Sequence, residues 1–507
     1  MWRRLSELPL LVLLMGITAL SMWLPAAHAV ILRDHDTARA FFYSGVILLI
    51  LTGMIGIATV NQRARNPARA NLTALVAAYG VLPVMMALPV AQALPDTSWS
   101  NAWLEMISSF TTTGATLYAP DRLPLSIHLW RAQVGWMGGF FILVAAVAIL
   151  APMTLGGIEV MSGRVPGRGA EGLSQITATA DPARRVTKQA AAILPVYTGV
   201  TIALWVALLM TGQPNLPALI HAMSTISTSG ISPSGGLPVE GPTFLAELAI
   251  FAALFLAVTR RLWPGSFSYD PDTRITGDAE LRMSLFLLAV IPLLLFLRHW
   301  LAATEGADVV GGDVLSGLRA LWGALFTTLS FLTTTGFTSA DWVTARNWSG
   351  LETPGLVLAG LAIFGGGIAT TAGGVKLLRV YALFRHGERE LERLIHPNSV
   401  GGSGQSARRL RREGAYLAWI FFMLFALSIA ILVAALALAG IEFETALILT
   451  LGALTTTGPL TSVAATDPIA LALLPGAAKA ILGVAMVIGR LELLAILVLL
   501  APDSWRN

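Results

Sequence analysis

A short segment of hydroxyl-bearing residues around one glycine recurs four times along the chain. The copies are Thr111-Thr112-Thr113-Gly114-Ala115-Thr116, Ser227-Thr228-Ser229-Gly230-Ile231-Ser232, Thr333-Thr334-Thr335-Gly336-Phe337-Thr338 and Thr455-Thr456-Thr457-Gly458-Pro459-Leu460. Each copy follows a short apolar stretch and lies between two longer apolar runs. A single Thr-Gly segment is typical of an ordinary turn, but four copies in register predict an internal structural repeat.

The apolar runs indicate a membrane protein. Of the 507 residues 55% are hydrophobic and 12% are charged, whereas soluble domains carry roughly 25% charged residues. Disordered, collagen-like and coiled-coil proteins are excluded as well. Ten runs reach the length that a spanning helix needs, at 8–32, 39–60, 70–94, 127–153, 189–211, 243–259, 283–301, 352–383, 415–439 and 469–500.

Four shorter apolar pieces precede the Thr/Ser-Gly segments, at 100–113, 215–229, 315–335 and 441–457. We interpret them as re-entrant half-helices, because they are short for crossing a bilayer. The repeating unit is then helix, half-helix, loop, helix. The predicted divisions are two N-terminal transmembrane helices at 1–66 and repeats at 67–186, 187–280, 281–413 and 414–507.

The N-terminus resembles a secretory signal peptide, with Arg3 and Arg4 before an apolar run and Ala27-His28-Ala29 near the end of that run. The run at 8–32 is long enough to span, which favours an uncleaved first helix. Most of the 33 Lys and Arg residues fall in loops on one side of the predicted topology. The positive-inside rule therefore predicts that both termini are cytoplasmic.

The four loops have the chemistry of a cation site. Non-helical backbone at membrane depth is tolerated where protein buries it or where it lines a water-filled cavity. Carbonyl and hydroxyl oxygens can replace the hydration shell of a monovalent cation. The loops hold no carboxylate, which argues against a divalent-cation filter, and no Lys or Arg, which argues against an anion pore. The candidate ligands are Thr112, Thr113, Gly114, Thr228, Ser229, Gly230, Thr334, Thr335, Gly336, Thr456, Thr457 and Gly458.

These segments, with Trp136-Met137-Gly138-Gly139, the glycine-rich 365–376 and Gly489-Arg490-Leu491-Glu492, resemble the Trk/Ktr/HKT superfamily of potassium transporters, in particular its bacterial Trk type. The resemblance implies an all-α polytopic membrane protein in which two extra transmembrane helices precede four tandem helix-pore loop-helix repeats around a central pore. It implies potassium uptake across the inner membrane, with K+ bound at the filter. It also implies a homodimer controlled by a separate cytosolic nucleotide-binding regulatory subunit of the TrkA/KtrA type.

The glycine-rich segment 365–374 interrupts the predicted span 352–383. Glycine costs about 1 kcal/mol relative to alanine inside a helix, so five glycines in ten residues predict an irregular loop. The alternative is close helix packing through small residues. The resemblance implies a movable gate below the filter, for which the candidate residues are Gly366, Gly367, Thr370, Thr371, Gly373, Gly374, Lys376 and Arg490.

Arg490 lies within an apolar span, where an arginine costs about 2.5 to 3.5 kcal/mol on insertion scales. We expect its charge to raise the barrier to cations beneath the filter. The structural alternatives are a pair with Glu492 or capture by carbonyls of the broken third-repeat helix. Lys479, earlier in the same span, is interpreted as a packing or snorkelling residue.

Other charged residues have simpler expected roles. Glu105 is expected to brace the first loop, and Asp341 to attract cations at the outer vestibule. The basic segment 379–413 suits anionic lipid. The family resemblance adds docking of the regulatory subunit there.

The chain is not expected to be an enzyme. Its seven histidines form no H-E-x-x-H pattern, it contains no G-x-S-x-G elbow, and it has no cysteine. It also lacks phosphate-binding glycine motifs, so ATP, ADP or NAD would act only through a partner, and no cofactor or nucleic acid is expected on this chain. A sodium- or proton-coupled symporter is the main alternative. Because the second and fourth loops differ from the others, selectivity between K+ and Na+ stays open.

Overall fold

The computed structural model describes residues 9–59, 67–151, 182–237, 243–263, 277–304, 314–351, 353, 355–396, 412–465, 467–493 and 495–496. Within these ranges the regular structure is helical, and no strand occurs. The all-α prediction is therefore confirmed. The basic residues Arg408 to Arg411 lie outside the described ranges.

Three helices precede the repeats: α1 (Leu10–Ser21), α2 (Trp23–Ile31) and α3 (His35–Thr59). The first two form one apolar stretch, Leu10–Ile31, of membrane-spanning length. Both pack on α3, and α1 also packs on the first helix of the repeats. The two extra transmembrane helices thus cover one side of the first repeat.

Each repeat contains a first helix, a shorter helix that ends at a Thr/Ser-Gly loop, and a return helix. The first repeat has α4 (Pro67–Ala93), α5 (Trp99–Phe110) and α6 (Leu125–Ala145), which continues as a π-helical turn (Ala146–Leu150). The second has α7 (Pro182–Met210), α8 (Asn215–Ser227) and α9 (Thr243–Val258). The third has α10 (Ala279–Thr304), α11 (Val314–Leu332), α12 (Trp342–Ser349), α13 (Gly355–Phe364) and α14 (Leu377–Ile395). The fourth has α15 (Arg412–Leu438), α16 (Phe443–Leu454), α17 (Leu460–Val463) and α18 (Gly476–Leu491).

The four short helices α5, α8, α11 and α16 occupy equivalent places in the fold. Helix α8 packs on α6, α11 on α9, and α16 on α13, so each contacts the return helix of the preceding repeat. Helix α5 of the first repeat packs on α18 of the fourth. The contacts close on themselves, and the repeats therefore surround a common axis.

Each short helix ends near a threonine with left-handed backbone. The φ angles of Thr112, Thr228, Thr334 and Thr456 lie between 54° and 57°. A non-glycine residue pays roughly 1–2 kcal/mol for this conformation. The same cost appears at the same position in all four loops, and such strain is typical of functional sites.

Among the described residues, eight helices are long and apolar enough to cross a membrane. Seven coincide with predicted spans. The eighth is α11, for which the sequence predicted a half-helix; its 19 residues give it sufficient length. The other three predicted spans appear as the shorter α9, as α13 and α14 separated by the glycine-rich segment, and as α18.

Candidate pore and gate

The four Thr/Ser-Gly loops meet edge to edge and form a closed ring. At each loop glycine, a Cβ atom would collide with the next loop of the ring, which means that the two loops touch there. The contacts are Gly114 with the Ser229 carbonyl, Gly230 with the Thr335 carbonyl, Gly336 with the Pro459 ring and Gly458 with the Ala115 backbone nitrogen. The order follows the order of the repeats.

Backbone hydrogen bonds fix each loop to its own short helix. The N–H groups of Thr113, Ser229, Thr335 and Thr457 donate to the carbonyl five residues earlier, at 2.8–2.9 Å. The carbonyls of the preceding threonines, Thr112, Thr228, Thr334 and Thr456, accept no hydrogen bond from any residue that the structure describes. These oxygens are therefore available to coordinate a cation.

Hydroxyl pairs divide the polar side chains into two groups. Thr111 and Thr113 are 2.8 Å apart at their Oγ1 atoms, and the equivalent pairs 227/229, 333/335 and 455/457 are 3.0–3.1 Å apart. These hydroxyls stabilise their own loops. Of the predicted ligands that follow the left-handed threonines, Ser229 and Thr335 offer free carbonyls within the described chain. The carbonyls of Thr113 and Thr457 accept from the N–H groups of Gly458 and Leu460, at 2.6 and 3.2 Å.

The fourth loop differs from the other three at its glycine. Gly114, Gly230 and Gly336 have positive φ angles of 71°, 64° and 84°, whereas Gly458 is not in this region. Gly458 donates its N–H to the Thr113 carbonyl at 2.6 Å, and its own carbonyl accepts from the N–H and Oγ1 of Thr461 at 3.0 and 2.8 Å. The Gly458 carbonyl therefore caps α17.

A buried ion pair braces the first loop from behind. Glu105 of α5 lies 2.5 Å from Arg131 of α6, and both side chains are at most 3% exposed. The other carboxylate oxygen of Glu105 accepts from the Leu117 N–H at 2.8 Å. This geometry agrees with the expected bracing role of Glu105. Its partner Arg131 could not be assigned from the sequence.

A second carboxylate braces the third loop. Glu247 of α9 accepts from the Ser339 hydroxyl and the Ala340 N–H at 2.7 Å each, and from Trp322 Nε1 at 2.8 Å. Sequence reasoning did not assign this role. An acidic residue inside an apolar span was a signal, but its partners lie in another repeat.

The glycine-rich segment is non-helical and lies against the loops at their left-handed threonines. The Gly373 N–H donates to Thr334 Oγ1 at 2.7 Å, and Thr228 Oγ1 donates to the Thr371 carbonyl at 2.8 Å. A Cβ on Gly373 would also collide with Thr456 Oγ1. The segment thus contacts three of the four left-handed threonines directly.

Further bonds hold the glycine-rich segment at its sides. Gly367 N–H and Thr370 Oγ1 both donate to the Ala257 carbonyl, at 3.0 and 3.1 Å. The Ile368 N–H donates to Glu280 of α10 at 2.7 Å, and Lys376 donates to the Ala372 carbonyl. Of the predicted gate residues, Gly366 and Gly374 pack tightly against Ala257 and Ala362. Glu280 was not identified from the sequence.

Arg490 reaches the same segment from α18. Its Nη1 donates to the Thr371 carbonyl at 2.7 Å, and the side chain is buried. Tyr79 lies near the guanidinium group, but neither Nε nor Nη2 makes a hydrogen bond of normal geometry within the described part of the chain. Of the two structural alternatives, the geometry matches carbonyl capture, because Glu492 pairs with Arg379 of α14 at 2.6 Å instead.

A small cavity of about 20 Å³ adjoins the segment and Arg490. Its lining includes Ile142, Ala372, Gly373, Lys376 and Glu492. The lining contains both polar and apolar residues, so the cavity can hold about one water molecule on the side of the ring that faces the glycine-rich segment.

The remaining predicted charges lie away from the ring. Burial raises the pKa of Asp341, which precedes α12, while nearby Arg319 acts in the opposite direction. Lys479 donates to the Ala472 carbonyl at 2.8 Å near the start of α18. That contact is a packing interaction at the opposite end of α18 from Arg490.

The closed ring of four loops and the repeated helix pattern define a multi-pass membrane transport protein with pore loops. The family model for TrkH, a cation transport protein, matches residues 248–506. The Trk system potassium uptake protein TrkH of Salmonella typhimurium is 30% identical over 494 residues, with 96% of each chain covered. The Escherichia coli K12 protein of the same name is 30% identical over 497 residues, again with 96% coverage of both.

A solved structure shows the same architecture. The potassium transporter TrkH from Vibrio parahaemolyticus matches with a TM-score of 0.79 and 28% identity, and the alignment covers 100% of both chains. The chain belongs to the TrkH family of cation transport proteins. The predicted family and the exclusion of an enzyme are both confirmed, since the relatives are named as transporters.

Proposed function

We propose that this protein takes up potassium across the bacterial inner membrane through the ring of Thr/Ser-Gly loops. The observation that carries the proposal is the closed sequence of loop contacts, in which Gly114, Gly230, Gly336 and Gly458 each abut the next loop. The names of the relatives, which are potassium uptake proteins, support the choice of ion. The two termini lie in the cytoplasm in this proposal.

The filter acts by replacing water. A cation that enters the ring loses its hydration shell to the carbonyls of Thr112, Thr228, Thr334 and Thr456, and to those of Ser229 and Thr335. The four loops are neutral, which favours a monovalent ion that can also leave. The fixed loop backbone keeps the oxygens in place without reorganisation.

The glycine-rich segment and Arg490 form the gate in its closed position. Three hydrogen bonds join the closed gate to the ring and to Arg490: Gly373 to Thr334, Thr228 to Thr371, and Arg490 to Thr371. The Arg490 charge lies beneath the ring and opposes a cation. Opening requires that these bonds break together.

A cytosolic nucleotide-binding subunit controls this gate, and the protein acts as a homodimer. Helix α14 follows the gate directly, and it leaves Leu391, Leu394 and Ile395 at least 61% exposed. An exposed apolar stripe beside basic residues suits a protein partner. Movement of α14 would pull on Arg379 and thereby on Glu492.

The test is cation flux into proteoliposomes that contain the purified protein, with K+ compared with Na+. We expect a K+ preference that is lost in Gly336→Ser and a raised basal flux in Arg490→Ala. Lys479→Ala is the matched control, because it removes a basic residue from the same helix outside the gate, and its flux should equal that of the unaltered protein. Flux that requires an imposed Na+ or H+ gradient would replace this proposal with symport, and equal K+ and Na+ fluxes would contradict selectivity.

A further inference from the structure

The four left-handed threonines place four hydroxyl groups at the inner end of the ring. Two of these hydroxyls are engaged by the glycine-rich segment, at Thr228 and Thr334. The other two, at Thr112 and Thr456, are fully buried and have no hydrogen-bond partner among the residues that the structure describes. The ring is therefore divided into an engaged pair and a free pair.

A buried hydroxyl without a hydrogen-bond partner costs free energy of folding. In native proteins such groups are bonded to other protein groups, to water or to a ligand. Thr112 and Thr456 belong to loops that touch through Gly458 and Ala115, so the unpaired oxygens lie on neighbouring loops. Neutral hydroxyl oxygens at the inner end of a carbonyl ring have the chemistry that a dehydrated monovalent cation binds.

The closed gate opposes a cation at this position. The Gly373 N–H occupies a lone pair of Thr334 Oγ1 and turns its positive hydrogen toward the ring. Thr228 turns its hydroxyl to the Thr371 carbonyl, which also holds the Arg490 guanidinium. The donor hydrogen of Gly373 and the positive charge of Arg490 thus lie where the cation would otherwise complete its shell.

We infer that the glycine-rich segment and the innermost cation compete for the same hydroxyl ring. Four threonine oxygens coordinate the ion when the segment has left, and two of them hold the segment when it is closed. Occupancy by a potassium-sized cation therefore favours the open gate directly. This inference rests on the proposed filter and gate and adds a route by which the transported ion regulates its own passage.

The experiment follows the segment itself rather than the flux. The chain has no cysteine, so Ala372→Cys introduces one thiol, which is buried in the closed segment and lines the inner cavity. Its rate of modification by a polar thiol reagent is measured in lipid nanodiscs, with K+, Na+ or N-methylglucamine as the cation. The rate should rise with K+ concentration and stay low in N-methylglucamine.

Two filter variants in this background separate the two halves of the ring. Thr334 and Thr112 both lie in Thr-Thr-Thr-Gly segments, but only Thr334 is bonded to the gate. Thr334→Val should raise the modification rate in the absence of K+ about fivefold, because the closed gate loses the stabilisation of one neutral hydrogen bond. Thr112→Val should leave the K+-free rate unchanged. It should raise the K+ concentration at which the modification rate reaches half of its maximum.

A modification rate that K+ does not change, or an equal K+-free rise in both valine variants, would overturn the inference. If Thr334→Val does not fold, the K+ titration of Ala372→Cys alone still decides. If flux is K+-selective but the thiol modification rate does not depend on K+, the proposed function stands and only the inferred competition between segment and cation is rejected. Absence of K+-selective flux in the unaltered protein removes the proposed function itself.

Discussion

The first and fourth loops occupy neighbouring places in the ring but are held by different means. Glu105 and Arg131 form a buried ion pair behind the first loop. Leu449 stands at the place in the fourth loop that corresponds to Glu105, nine residues before the glycine. There the loop passes through Pro459 directly into α17, whose Thr461 holds the Gly458 carbonyl.

The difference shows that similar loop geometry does not require similar support. Thr112 and Thr456 have φ angles of 56° and 55°, although one loop is braced by charges and the other by a short helix. The first loop leaves the Gly114 carbonyl without a partner in the described chain, whereas the Gly458 carbonyl is occupied. At the glycine level the ring is therefore asymmetric.

The largest effect is expected for the ring glycines. An added Cβ at either Gly114 or Gly458 would meet backbone of the next loop, and both alanine variants should reduce K+-selective flux to background. Gly114→Ala also forces a positive φ of 71°, which costs roughly 1–2 kcal/mol more. Thermal unfolding should therefore show Gly114→Ala to be the less stable variant.

Gly199→Ala is the control for this pair, because a Cβ there meets nothing within 4 Å. Its flux and stability should be close to those of the unaltered protein. Equal stability of the two alanine variants would show that alanine is equally strained at positions 114 and 458. That result would contradict the expectation from the φ angles.

An intermediate effect is expected for the buried pair behind the first loop. Glu105→Gln or Arg131→Met alone leaves one buried charge without its partner, which costs about 3–5 kcal/mol. The double variant removes both charges and should be more stable than either single variant. Unfolding by heat or denaturant in detergent measures the stabilities of the three variants. If the double variant is as unstable as the sum of the single ones, the residues do not act as a pair.

The smallest effect is expected at the cap of the fourth loop. Thr461→Val removes one of the two hydrogen bonds to the Gly458 carbonyl and should lower stability by about 1 kcal/mol. The ratio of K+ to Na+ flux should change little, since the backbone bond remains. Thr116→Val in the first loop is the comparison, because its longer 3.3 Å bond to Tyr118 contributes less. A larger loss of stability in Thr116→Val than in Thr461→Val would show that the hydroxyl of Thr461 is not the more important support.

Sequence patterns were sufficient for the repeat and its loops because both are local features. The hydroxyl-glycine segments and the run of glycines at 365–374 each predict their own departure from helix. The family and the fold class followed from them and are confirmed. The third half-helix, predicted within 315–335, is α11 (Val314–Leu332), whose length and apolar composition would also suit a spanning helix.

The supports of the ring could not be predicted in the same way. Glu247 contacts Ser339 of the next repeat, and Glu280 contacts Ile368 within its own repeat, both over long separations in sequence. Hydropathy indicates that a carboxylate in a span needs a partner, but it does not identify the partner. The same holds for Glu492, which the sequence placed beside Arg490 and the fold pairs with Arg379.

The contact between Gly458 and Ala115 has a consequence for synthesis. The two residues that close the ring lie in the first and fourth repeats, so a ribosome must make the first three repeats and the fourth loop before the last contact can form. A nascent chain that ends before Thr455 contains three quarters of the ring and an open side. The membrane is therefore not exposed to a finished ion pathway while translation is in progress, and a truncated product has no complete filter.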